Sequence, residues 1–398
     1  MKLLLRFILL PLFPIFAVIP LSAQKTTHIC DTVPYEYIME KIIIPVRVNG
    51  KQVKYLVDTG GRTGTMWEDA SAMGVQGNGT IVNVSDLNGE KQSHQKGILK
   101  DVYLSPNFKL NSLETMILPE MGFFKDLGIA GMLGADAFAN CVLTFDHRNK
   151  IMIINYPYRP MGLKISDGVA IESNMMHHIF LDVKYVVSTR KVMFDTGAHG
   201  FLLISQEDFD DFKETGDCVQ TAEAYGINGI GMAGLAAPVK FQKGYVKELT
   251  FLGKKFLNVG CITNPISSTI LGVDILKYGK VVADYLRGVF YFFPYTDDVV
   301  EMEGTPQTWN VSILPANERF EITAIWEGMK DKVSMGDQVV NINGVDLEEF
   351  PMSQAKIEEI MNNIEGNVGY IIVKRNDKNI KIEKVTLFLI SVIFFLSS

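Results

Sequence analysis

Two stretches decide the reading of this chain: Tyr55-Leu56-Val57-Asp58-Thr59-Gly60 and Val192-Met193-Phe194-Asp195-Thr196-Gly197. Each is an apolar run that stops abruptly at Asp-Thr-Gly. The run reads as a buried strand and the stop as a turn, with the glycine letting the backbone bend tightly. That leaves Asp58 and Asp195 at the ends of core strands, where a charge is costly. A single Asp-Thr-Gly is a common turn, but two in the same setting carry more weight. Two carboxyls brought together cannot both ionise cheaply, so they share a proton. One then serves as base toward a water and the other as acid.

The two stretches belong to a longer repeat. Gly131-Met132-Leu133-Gly134-Ala135-Asp136 follows the first, and Thr269-Ile270-Leu271-Gly272-Val273-Asp274 follows the second. The offsets from the first aspartate agree closely, 136−58=78 and 274−195=79. Another aspartate follows ten residues later in each copy, at Asp146 (146−136) and Asp284 (284−274). An apolar strand then runs through Ile151-Met152-Ile153-Ile154 or Val289-Phe290-Tyr291-Phe292 to Pro157 or Pro294. Two units of this size at constant register suggest a pair of related lobes, not a solenoid. Asp136 and Asp274 read as capping or pairing groups at the helix entry that follows Leu-Gly, outside the chemistry.

The apolar-apolar-Asp-Thr-Gly pattern with a later Leu-Gly-x-Asp resembles the retropepsin-like aspartic proteases. Two copies in one chain resemble a fused form of the retroviral dimer, over roughly residues 40 to 295. The resemblance implies a closed, β-rich fold whose Asp-Thr-Gly loops meet between the lobes. It implies Asp58 and Asp195 as the catalytic pair, with Thr59, Gly60, Thr196 and Gly197 supporting the loops and the threonines bonded across the interface. It also implies a glycine-rich flap. Tyr225-Gly226-Ile227-Asn228-Gly229-Ile230-Gly231 fits that role, with Tyr225, Gly226, Ile227, Gly229 and Gly231 as its candidates. Ser85 to Glu90 is the corresponding, poorer hairpin of the first copy. Gly61 departs from the pattern, which Ala198 keeps in the second copy.

The chain opens with Met1-Lys2-Leu3-Leu4-Leu5-Arg6, an apolar run from Phe7 to Leu21, and Ser22-Ala23-Gln24. This is the pattern of a secretory signal peptide cut near Ala23, and the run is short and proline-broken for a membrane span. Without residues 1–23 the formal charge becomes (38−2)−45=−9. An acidic exported chain of this kind offers no broad basic surface, so nucleic acid is not an expected partner. The 47% hydrophobic content suffices for real cores and the length for two or three units.

Four cysteines, Cys30, Cys141, Cys218 and Cys261, show no metal-ligand spacing. Cys141 reads as a buried thiol, and Cys218 with Cys261 is the favoured pairing. The histidines show no metal-binding motif either. Gly229-Ile230-Gly231-Met232-Ala233-Gly234 fits G-x-G-x-x-G, but Pro238 cuts off the helix a dinucleotide site needs. No cofactor and no metal are therefore expected. His199 and Arg62 read either as cleft residues or as solvated loop positions. Ile42 to Val48, Asn49-Gly50 and Val53 to Val57 read as a hairpin that delivers Asp58. Glu120 to Leu127 and Gln206 to Phe212 read as short helices.

Beyond a break near Asp297 to Gln307, Phe320 to Ile325 alternates as a strand. Gly336-Asp337-Gln338-Val339-Val340-Asn341-Ile342-Asn343-Gly344 follows, then an amphipathic helix over Ser353 to Ile364 and strands at Tyr370 to Val373 and Ile380 to Ile382. The Gly-Asp-x-Val-Val-x-Ile-Asn-Gly motif resembles that of PDZ domains. The family binds peptide ends by strand addition, which implies a possible peptide terminus at this unit. The glycines of a carboxylate-binding loop are missing before Phe320.

The sequence thus predicts a mainly β chain: a two-lobed, pseudo-twofold aspartic-protease fold followed by a small PDZ-like β/α domain. The divisions are a signal peptide at 1–23, lobes at 24–160 and 161–297, the PDZ-like domain at 305–385 and an apolar tail at 386–398. The expected activity is peptide-bond hydrolysis by an exported aspartic endopeptidase, periplasmic or extracellular, with membrane association as a further alternative, acting on peptide or protein substrates as a monomer. The alternative is a peptide-binding scaffold on the same fold that no longer cuts.

Overall fold

The computed structural model describes residues 28–86, 91–227, 230–231, 234–235, 237–304, 310–348, 360, 368–386 and 396–397. The expected signal peptide, the helix at 353–364 apart from Ile360, and most of the apolar tail lie outside them. So do Gly229 of the flap and residues 87–90 of its first-copy counterpart.

Ile29–Pro34 (β1) and Glu36–Ile38 (β2) lead into Lys41–Val48 (β3) and Lys51–Val57 (β4). Asn49 and Gly50 join the last two with φ of 48° and 80°, the mirror-image turn that suits twisted strands. Gly64–Met66 (β5), helix α1 (Trp67–Ala72), Ile81–Asp86 (β6), Lys91–Tyr103 (β7), Lys109–Leu118 (β8), helix α2 (Gly122–Leu127) and Gly131–Leu133 (β9) follow. The order β3-β4-β9-β5-β8-β7, with β7 returning to β3, closes a six-stranded barrel. Closure leaves no open edge around the ring. Val142–Asp146 (β10) and Ile151–Tyr156 (β11) leave it.

The second copy enters through Val169–Ala170 (β12) and Glu172–Ser173 (β13). It continues with Ile179–Tyr185 (β14), Thr189–Phe194 (β15), Leu202–Ser205 (β16), helix α3 (Gln206–Thr215) and Cys218–Gly226 (β17). The short strands Ile230–Gly231 (β18) and Gly234–Leu235 (β19) precede Val239–Phe251 (β20), Lys254–Asn264 (β21) and Thr269–Leu271 (β22). The order β14-β15-β22-β16-β21-β20, with β20 returning to β14, closes a second six-stranded barrel. Strand directions repeat as well: β4–β9 and β15–β22 are parallel, as are β5–β8 and β16–β21.

Gly279–Asp284 (β23) and Val289–Pro294 (β24) complete a sheet shared by both copies, in the order β1-β11-β10-β23-β24-β12. The repeated aspartates anchor it. Asp146 takes Lys280 from the other copy at 2.7 Å, while Asp284 is paired with Arg287 and Arg159. One apolar core runs through both barrels and this sheet. Phe194 of β15 meets Phe145 of β10 and Phe290 of β24, with ring centroids 6.4 and 5.2 Å apart.

Val300–Glu301 (β25) pairs with β21. Then come Val311–Ala316 (β26), Arg319–Trp326 (β27), Gln338–Ile342 (β28), Val345–Asp346 (β29), Val368–Arg375 (β30) and Lys378–Thr386 (β31). These C-terminal strands share an apolar cluster of their own, against which Ile360 packs. Asn317 and Glu318, with φ of 49° and 60°, make a two-residue turn between β26 and β27. This tight turn stands where a carboxylate-binding loop was sought. In the tail, Leu396–Ser397 (β32) pairs with β6.

Cys218 and Cys261 are both buried and side by side, as expected of a favoured pair, but both are free thiols. Cys141 is buried and bonded to the Phe138 carbonyl. Phe194→Ala is expected to lower unfolding free energy by about 3–5 kcal/mol, because the ring bridges both copies and leaves a cavity no neighbour can fill. Urea denaturation followed by tryptophan fluorescence measures this.

Candidate active site

The two Asp-Thr-Gly loops emerge from the ends of β4 and β15. Asp58 N–H bonds the Leu133 carbonyl at 2.9 Å, and Asp195 N–H bonds the Leu271 carbonyl at 3.0 Å. Each parallel neighbour thus fixes where its loop begins.

The loops then clasp each other. Thr59 Oγ1 accepts from Thr196 N–H at 3.0 Å and donates to the Phe194 carbonyl at 3.3 Å. Thr196 Oγ1 accepts from Thr59 N–H at 3.2 Å and donates to the Val57 carbonyl at 2.9 Å. Each hydroxyl satisfies two backbone groups of the opposite copy, in a region with no access to water.

Gly60 and Gly197 serve a different purpose from the one their position in a turn suggests. Neither lies at positive φ. A Cβ on Gly60 would stand 2.2 Å from Asp195 Cγ, and one on Gly197 would stand 2.4 Å from Asp58 Cγ. Each glycine makes room for the carboxyl of the other loop. Gly61 follows the same logic, since a Cβ there would lie 2.9 Å from Asp58 Oδ2. Ala198, its counterpart, is accommodated in an apolar cluster.

Asp58 and Asp195 are each 0% exposed, with their carboxyls within hydrogen-bonding reach of one another. Their surroundings differ. Asp195 Oδ1 accepts from Gly197 N–H at 2.7 Å and Gly60 N–H at 3.0 Å. Neither oxygen of Asp58 has a donor in good hydrogen-bond geometry, although the nearby Gly60 N–H also favours its charged form. Burial pushes Asp58 well above the usual carboxylate range, and the neighbouring Asp195 charge adds to the push. Burial also raises Asp195, to about 6, against the pull of the two N–H groups and of Lys41. The two carboxyls therefore hold a proton between them, and the two N–H donors favour the charge on Asp195.

Lys41 was not among the expected site residues. It begins β3 and is 0% exposed, with Nζ 2.5 Å from the Gly197 carbonyl. Its positive charge lowers the pKa of both aspartates. The strand registers Ile43↔Leu56 and Phe180↔Met193 make His178 its counterpart in the second copy. Burial lowers His178 to about 4, so that side of the site carries a neutral ring beside the Gly61 backbone. A lysine directly before an apolar run resembles any strand-entry charge, and nothing in the sequence signals that it points inward.

His199 is neither a cleft residue nor a solvated one. Its Nδ1 bonds Glu40 at 3.0 Å, and Lys277 reaches the same carboxylate at 3.3 Å. Burial raises Glu40, but His199 and Lys277 outweigh it and hold the group below the usual range. The cluster ties the copies together, as Glu40 belongs to the first and the other two to the second. Arg62 pairs with Glu114. Asp136 accepts from Thr63 N–H and Oγ1 at 3.0 and 2.8 Å, and Asp274 pairs with Lys277, so both have the structural roles expected.

The flap candidates lie where β17 and β20 pair, ending at Gly226↔Val239. Beyond, β18 and β19 pair through Ile230↔Leu235 and Gly231↔Gly234. The glycine-rich motif thus forms a strand pair. Tyr225 is exposed, and Ile227 packs against an apolar cluster of the first copy.

Residues 44–137, the stretch holding Asp58 and its barrel, match the model of the aspartyl protease family. On this match the chain is classed as an aspartic-type endopeptidase. Among solved structures, an aspartic proteinase from Irpex lacteus is similar at 14% identity and a TM-score of 0.42, covering 67% of this chain and 97% of that one. No curated protein matches by sequence.

Two measurements follow from this geometry. Thr59→Val and Thr196→Val should each destabilise by roughly 1–3 kcal/mol per orphaned backbone group. In a double-mutant cycle the pair should cost less than the sum, because losing either clasp already parts the loops. Lys41→Met removes a charge that favours the ionised pair. The acid limb of the pH–activity profile should therefore move to higher pH, whereas a packing role alone would leave its position unchanged.

Proposed function

We propose that this chain is an exported, monomeric aspartic endopeptidase of two fused lobes, at 24–160 and 161–297, with Asp58 and Asp195 as its catalytic pair. The observation that carries the reading is the meeting of two buried carboxyls from matched strand ends across paired threonine loops.

The chemistry follows from the unequal surroundings of the two groups. Asp195, ionised, takes a proton from a water molecule as its oxygen attacks the scissile carbonyl carbon. Asp58 gives its proton to the carbonyl oxygen, forming a tetrahedral diol without a free oxyanion. The carboxylic acid now on Asp195 protonates the leaving amine as the C–N bond breaks. Asp58 takes back a hydroxyl proton as the new carboxyl forms. The β17–β20 hairpin serves as the flap that excludes solvent from an extended substrate. Signal-peptide character at 1–23 supports export to a periplasmic or extracellular space. The PDZ-like unit at 305–385 is assigned to positioning substrate or partner chains and contributes no chemistry.

The alternative, a peptide-binding scaffold that no longer cuts, draws on one specific observation: both aspartates are sealed from solvent. Peptide-library cleavage by residues 24–398 separates the readings. Asp58→Asn and Asp195→Asn should each reduce turnover by about 10²–10⁴-fold or more. A pepstatin-type inhibitor should block the wild type, and specific activity should not fall on dilution. Wild-type turnover in either Asn variant would overturn the shared-proton mechanism, and the absence of any cleavage would favour the scaffold.

A further inference from the structure

One face of the β26–β27 hairpin is buried against elements of the candidate active site. In β26, Val311 and Ile313 point into the C-terminal unit's own core. Leu314 alternates to the opposite face, which an isolated unit would present to solvent. Yet Leu314 is only 6% exposed. It belongs to a cluster of the first barrel that includes Leu56, Met132 and Met116, with Ile227 of the flap packed against it.

The location of that cluster follows from strand geometry. Leu56 lies two residues before Asp58 and so shares its face, and Met132 is its direct neighbour across β4–β9. Leu314 therefore belongs to the same apolar cluster as Leu56 and Met132, the residues of β4 and β9 that lead to Asp58. The corresponding cluster of the second copy is built from Met193, Ala198, Leu203 and Ile270. Among the described residues, that cluster holds none from the C-terminal unit.

The same hairpin grips the flap. β27 pairs antiparallel with β17 through Ala224↔Trp326, Tyr225↔Ile325 and Gly226↔Ala324. Ile227 N–H continues the ladder to the Thr323 carbonyl at 2.7 Å. Gly226, at φ +139°, permits this approach, since a Cβ there would lie 2.2 Å from the Thr323 carbonyl oxygen. Trp326 meets Phe241 of β20 edge to face at 5.1 Å, and Lys243 lies over its ring at 4.5 Å. Over Ala324 and Ile325 both edges of β27 are taken, by β26 and by β17. A peptide seeking that edge meets one already occupied.

We propose that the β26–β27 hairpin is the resident competitor of the substrate. Leu314 fills a receiving site for a leucine-like side chain beside Asp58, and β27 holds the flap strand closed over it. The idea rests on the protease reading and deepens it. The favoured substrate is an extended polypeptide carrying a large aliphatic side chain next to the cleaved bond, and it enters only when the hairpin is displaced.

The test uses the full chain with Leu314→Asp, which places a charge in the apolar site and expels the hairpin. Amide hydrogen exchange at Tyr225, Gly226 and Ile227 should accelerate at least about tenfold. kcat/KM on a short peptide with leucine beside the scissile bond should rise by a similar factor. Leu314→Ala, which adds no charge, should raise both by less and covers the case in which the aspartate variant fails to fold. Unchanged exchange at these amides, or lower peptidase activity in a folded variant, would overturn the proposal. Faster exchange with no cleavage by wild type or variant would leave the hairpin's grip established and refute the protease reading instead.

Discussion

Everything at the centre of this molecule depends on two hydroxyls. Thr59 and Thr196 each bridge the backbone of the opposite copy, and this exchange brings two strand ends into contact in a water-free interior. The carboxyls that follow from the clasp are a burden to the fold, because burial opposes charge on both. Two backbone N–H donors relieve Asp195, and the nearby Lys41 eases the charge on both. Two identical tripeptides thereby acquire different surroundings.

The asymmetry extends outward from that point. Lys41 holds one loop through the Gly197 carbonyl, while burial keeps the equivalent His178 neutral. Gly61 gives Asp58 space, while its counterpart Ala198 packs in an apolar cluster. The apolar cluster that contains Leu56 also contains Leu314, whereas the cluster that contains Met193 holds no residue of the C-terminal unit among the described residues. The two barrels repeat one strand order, and single-residue departures from the repeat make the surroundings of the two carboxyls unequal.

The C-terminal unit fits this account as part of the cleft's control. Its β27 continues the sheet of the second barrel through the flap strand. Any motion that opens the flap must break that ladder or carry the unit along. On the proposed reading, opening of the β17–β20 hairpin and displacement of the unit are one event, because β17 is paired with β27.

Much of this was legible in the residues. The paired apolar-Asp-Thr-Gly runs, the offsets to Asp136 and Asp274, and the Asn49-Gly50 turn signal local geometry, which near neighbours in sequence settle. The strand ends, the duplicated order and helices α2 and α3 followed from them. Helix α1 was missed because six residues beginning at Trp67 carry too little periodicity. What only the tertiary structure decided depends on contacts between distant segments. Lys41 reads as an ordinary surface charge until the barrel turns it toward Gly197. Gly60 and Gly197 read as turn glycines until the opposite carboxyls are set against them. Leu314 reads as one apolar residue of a strand until its face is seen against the cluster that contains Leu56. Sequence periodicity reveals which face of a strand is apolar, whereas which partner covers that face is settled only when the chain has closed on itself.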